Sequence, residues 1–76
     1  MAISGAVMKV DKKHREELRN KIAKISGVSW QQDSPEGDFI LLIEAVDINA
    51  LHKICMNLEQ IDGVLGLYPS YVTTDD

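Results

Sequence analysis

The chain has 76 residues, room for one small domain, because compact domains rarely divide below about 100 residues. Eight basic residues stand against twelve acidic ones, a formal net charge of −4, which argues against a general nucleic-acid binder whose affinity rests on Lys and Arg neutralising phosphates. With 45% hydrophobic and 26% charged residues the chain reads as globular, its single Cys55 cannot close an intrachain disulfide, and no apolar run is long enough to insert in a membrane. The opening MAISGAVMKVDKK has neither the leading charges nor the apolar core of a secretory signal, so a cytoplasmic location is the expectation.

Taken in chain order, Ile3–Val10 is an apolar run of strand length, followed by Asp11 as a helix N-cap. Leu18, Ile22 and Ile25 keep helical spacing, and Gly27 stands where a left-handed terminating residue belongs. Val28–Gln32 is a second strand, and Ser34-Pro35-Glu36-Gly37 carries type I turn residues that make a hairpin to Phe39–Val46. Asp47 is the second N-cap, with Val46 and Leu51 spaced as a hydrophobic staple. Leu51, Ile54, Leu58 and Ile61 form the second helical stripe, Gly63 ends it, and Val64–Val72 closes the chain as a strand.

A shift of 36 residues superimposes the halves without a gap: Asp11 on Asp47, Leu18 on Ile54, Ile22 on Leu58, Ile25 on Ile61, Gly27 on Gly63 and Val28 on Val64. Val7 also falls on Ile43 and Ile3 on Phe39. Two strand–helix–strand units joined by a hairpin predict an α+β, ferredoxin-like βαββαβ domain over residues 1–76, its antiparallel sheet ordered 4-1-3-2 and both helices on one face. Pro69 fits the fourth strand as an edge strand.

The other face of such a sheet should be polar at every second position. Bulk and the repeat place Ile3, Val7, Val28, Trp30, Phe39, Leu41, Ile43, Val64, Gly66 and Tyr68 toward the helices. That leaves Ala6, Met8, Ile40, Leu42, Leu65, Leu67 and Tyr71 outward, with Glu44 at the end. Six aliphatic side chains in one patch expose roughly 300 Å² or more, the size of an interaction site. An apolar groove rimmed by acid suits a basic amphipathic peptide helix, with Glu44, Asp38, Asp33 and Asp75-Asp76 as candidate partners for arginine. A weak homodimer through the same face is the competing expectation.

Other chemistries find less support. His52, Cys55 and Met56 share a helix face but fall short of a zinc or copper ligand set, and no Cys-x-x-Cys stands in the first loop. The central strands hold one aromatic, Phe39, too few to stack bases as RNA-binding domains of this topology do. No nucleophile–base pair converges, so neither catalysis nor a cofactor is expected. Lys13, Arg15, Arg19, Lys21 and Lys24 read as a solvated helix face. A dimeric amino-acid-sensing regulatory domain of the same fold is an alternative, with ligand contacts near Asp11–His14 and Asp47–Asn49.

Several segments carry a resemblance. Ser4-Gly5-Ala6-Val7-Met8, Ile25-Ser26-Gly27-Val28, Gly37-Asp38-Phe39-Ile40-Leu41-Leu42-Ile43-Glu44-Ala45, Ile61-Asp62-Gly63-Val64-Leu65 and Tyr71 together are similar to the NapD family of small cytoplasmic chaperones of periplasmic nitrate reductase. The resemblance implies a protein that binds the twin-arginine signal peptide of a molybdoenzyme catalytic subunit as a helix and holds back export until the cofactor is loaded. Where the family reads Val-Tyr-His, this chain has Ser70-Tyr71-Val72.

Overall fold

The computed structural model describes residues 1–74. Its elements are β1 (Ala2–Val10), α1 (Arg15–Ala23), β2 (Val28–Asp33), β3 (Phe39–Ala45), α2 (Ile48–Glu59) and β4 (Val64–Thr74), with one 3-10 turn at Lys12–His14 before α1. The four strands pair antiparallel in the order β2-β3-β1-β4, which is the expected ferredoxin-like sheet.

The repeat is visible in the backbone hydrogen bonds. Ile25 N–H donates to Ile22 C=O as Ile61 does to Leu58, and Val28 donates to Ile25 as Val64 does to Ile61. Gly27 and Gly63 follow with φ of +86° and +95°, the left-handed turn that L side chains resist. Asp47 Oδ1 caps α2 by accepting from Ala50 N–H at 2.8 Å. Asp11 Oδ1 accepts from Lys13 N–H at 3.0 Å and so caps the 3-10 turn, one step earlier than α1 itself. Val46 is 76% exposed, so the staple to Leu51 does not form a packed contact and the cap rests on Asp47.

The core lies between the helices and one sheet face. Leu18 and Ile22 of α1 and Leu51 and Leu58 of α2 pack with Ala2, Ala6, Met8 and Val10 of β1, Phe39, Leu41 and Ile43 of β3, and Val28 and Leu67. Bulk was therefore a poor guide to β1. Its helix-facing row is Ala2, Ser4, Ala6, Met8 and Val10, all buried, and Ile3, Val7 and Lys9 point the other way. Ser4 is accommodated inside because its hydroxyl donates to Tyr71 C=O at 2.8 Å.

β4 departs from plain alternation twice. Lys9 opposes Gly66 and Val10 opposes Val64, which leaves Leu65 as an extra residue; Gly5 opposes Tyr71 and Ala6 opposes Pro69, which leaves Ser70 as another. Each bulge reverses the side-chain parity of the strand. The first turns Leu67 inward and Tyr68 outward, against the expectation, and the second returns Tyr71 to the outer face. Ser70 Oγ ties its bulge down by donating to Gly5 C=O at 3.0 Å.

Candidate functional site

Cross-strand partners share a face, so the register defines the surface that the helices leave uncovered. One row runs Thr73–Ile3–Glu44, the next Tyr71–Gly5–Leu42–Ser29, the next Tyr68–Val7–Ile40–Gln32, and Gly66–Lys9 ends the face. Ile3, Val7, Ile40 and Leu42 are half-buried in its middle, and Tyr68 and Tyr71 stand along the β4 side at 55% and 51% exposure. The tyrosines lie where glycines make room. A Cβ on Gly5 would collide with Tyr71 Cε1, and one on Gly66 would meet the Tyr68 ring, so both rings lie down on the sheet. The result is a shallow apolar floor bordered by two flat aromatic rings on the β4 side.

Of the expected site residues, Ile40, Leu42, Glu44 and Tyr71 are on this face. Ala6, Met8 and Leu67 are not: they are 1%, 0% and 6% exposed beneath the helices, for the parity reasons given above. Leu65 is exposed, but as a bulge residue it opposes no residue of β1. The face instead gains Ile3, Val7 and Tyr68, all three expected on the helix side. A signal for two of them was available, since the charged, exposed Lys9 shares their parity in β1.

The acidic rim is narrower than expected. Asp38 is buried, accepting from Lys12 Nζ at 2.8 Å and from Val10 N–H at 3.3 Å. The Lys12 hydrogen bond, with help from Val10 N–H, holds its carboxyl below the usual carboxylate range against the opposing effect of burial. Asp33 is ion-paired with Arg15, and that hydrogen bond lowers its carboxyl in the same direction. Asp75 and Asp76 lie outside the described residues. Glu44 is exposed and makes no ion pair among the described residues. Among the described residues it is the carboxylate available to a ligand on the open face.

The basic side of α1 is only partly solvated. Arg15 pairs with Asp33, and the Arg19 guanidinium lies over the Trp30 ring, 3.9 Å from its centroid. On the helix side, a cleft of about 290 Å³ runs between α2 and β4, lined by Ser4, Leu51, His52, Cys55, Pro69 and Val72. Burial, helped by Glu59, pushes the Cys55 thiol up, away from the thiolate that ligation or nucleophilic chemistry needs. Asp11 and Asp47, placed where an amino-acid sensor would hold its ligand, are used as caps. Among the described residues no three His, Cys, Asp or Glu side chains gather as a metal site, and no helix is long and apolar enough to cross a membrane.

The solution structure of the E. coli Tat proofreading chaperone protein NapD superimposes with a TM-score of 0.84 over 97% of this chain and 79% of that one, at 17% identity, a likeness of fold. No curated protein matches the chain. The family model described as NapD protein matches residues 1–76. The chain therefore belongs to the NapD family, a family of chaperones and not of enzymes.

Proposed function

We propose that the protein is a cytoplasmic chaperone, acting as a single domain, that binds the twin-arginine signal peptide of a molybdoenzyme precursor. Its client on this reading is the catalytic subunit of a periplasmic nitrate reductase, kept from export until its cofactor is in place. The observation that carries the proposal is the open face: a contiguous apolar floor of Ile3, Val7, Ile40 and Leu42, uncovered by either helix, with Glu44, which makes no ion pair among the described residues, at its end. Family membership supports it, as does likeness to a fold whose E. coli representative is described as a Tat proofreading chaperone.

The mechanism follows from the surface. An apolar peptide segment in helical form lays one stripe on the floor, and the tyrosines add flat, rigid contact area at small entropic cost. A guanidinium near Glu44 makes a charge-assisted, bidentate bond that an ammonium cannot reproduce. No covalent step is involved, so the peptide leaves when export begins.

Calorimetric titration with a synthetic twin-arginine peptide and its Lys-Lys counterpart tests the proposal. Saturable binding that weakens on the Lys exchange is expected, together with loss of binding in Leu42→Asp, whose half-buried position should keep the fold. Unchanged affinity in Leu42→Asp would remove the open face from the mechanism. A dimer through the same face is distinguished by light scattering without peptide, as a mass that rises with concentration.

A further inference from the structure

The open face carries opposite charges at its two ends. Glu44 lies in the row Thr73–Ile3–Glu44 at one end, and Lys9 in the row Gly66–Lys9 at the other. Both are exposed, and neither is ion-paired among the described residues. Asp38, the carboxylate near the Lys9 end, takes its hydrogen bonds from Lys12 Nζ and Val10 N–H, and Lys9 acts on it through space without forming an ion pair. Between the two charges lie Val7, Gly5, Leu42, Ile40 and the two tyrosines, with the uncharged Ser29 and Gln32 on the β2 side. Ile3 and Lys9 are six residues apart on one strand, about 20 Å at ~3.4 Å per residue. A helix of about 13 residues covers that length at ~1.5 Å per residue.

Resting on the chaperone reading above, we propose that this charge polarity fixes the direction of the bound peptide: its arginine-bearing N-terminal end lies over Glu44 and its C-terminal end over Lys9. Two effects agree in sign. Glu44 attracts the guanidinium pair and the positive end of the helix dipole, and Lys9 faces the free carbonyls of the last turn, where cations are favoured. The reversed peptide would set arginines against Lys9 and helix carbonyls against Glu44. Lys9 is then a positioning residue, and one direction of docking leaves the same stretch of precursor leading away from the chaperone every time.

The test uses the full chain, labelled with nitrogen-15, and a synthetic peptide of Arg-Arg followed by about a dozen helix-forming apolar residues. A nitroxide is placed at either its N-terminal or its C-terminal end. With the N-terminal label, amide signals of Ile3, Glu44 and Thr73 should broaden at least several-fold more than those of Lys9 and Gly66; with the C-terminal label the order should invert. The opposite pattern, or equal broadening at both ends for both labels, overturns the inference while leaving peptide binding on the face intact. No perturbation of open-face amides at saturating peptide would instead remove the chaperone reading itself, and this inference with it. The doubly exchanged Glu44→Lys, Lys9→Glu chain keeps the net charge and should reverse the broadening pattern. An unreversed pattern there would mean that the apolar floor, not the charges, sets direction.

Discussion

Asp38 shows how one residue can match an expectation in chemistry and miss it in place. The sequence offers it as a rim carboxylate for a ligand's arginine, but the hairpin that presents it also turns it under the end of β1, where Lys12 and Val10 N–H take it. Its folded-state pKa is lowered, so it binds its proton less readily in the folded than in the unfolded chain. The stability it adds is therefore complete above the unfolded carboxylate value of about 3.9 and is lost as pH falls through the lower folded value. The Lys12 side chain is 54% exposed, so screening keeps the gain over Asp38→Asn to about 1 kcal/mol. Urea unfolding of the two chains should give a constant difference from pH 7 to about 5 that shrinks below about pH 4. A difference that instead grew on acidification would mean that Asp38 is stabilised by its proton rather than its charge.

At the scale of elements, the contrast between β1 and β3 separates what alternation can and cannot reveal. Both strands are apolar at both parities, and for β3 the bulk rule was right: Phe39, Leu41 and Ile43 are inside. In β1 the same rule failed, because the residues under the helices include the small Ala2, Ser4 and Ala6 beside Met8 and Val10, while Ile3 and Val7 furnish the open floor. The repeat carried the whole topology, from both glycine turns to the strand order, since those depend on local spacing. It could not carry parity through β4, where Leu65 and Ser70 are inserted as bulges that no residue type announces. The parity of β1 has a direct experimental signature. Met8→Asp places a charge at a fully buried position and should unfold the protein, since an unpaired buried charge costs several kcal/mol. Val7→Asp, one residue away, should fold with a cooperative transition close to the parent's and lose peptide affinity by tenfold or more. Circular dichroism melts and one titration decide it, and equal folding of both variants would contradict the assigned faces.

At the scale of the whole molecule, binding and stability are tied together. A sheet covered by helices on one side only leaves a large share of its apolar residues half-exposed, in a chain already small for a single core. A ligand that covers the open face adds the second layer that the fold lacks. Mass action gives the size of the effect: peptide at about 100 times its dissociation constant stabilises by roughly 2.7 kcal/mol. For a domain of this size that corresponds to a rise in Tm of about 10–20 °C. The same argument bears on self-association, because a sheet-to-sheet dimer would cover the face that the peptide needs. Any concentration-dependent dimer should therefore fall to the mass of one chain plus one peptide as peptide is added, in step with the rise in Tm. A dimer that persists at saturating peptide must use another surface, and the cleft between α2 and β4, with Ile48, Met56 and Val72 each 48% exposed beside it, is where substitutions should then be made. Light scattering across a peptide titration, read beside the melting curve, separates the two.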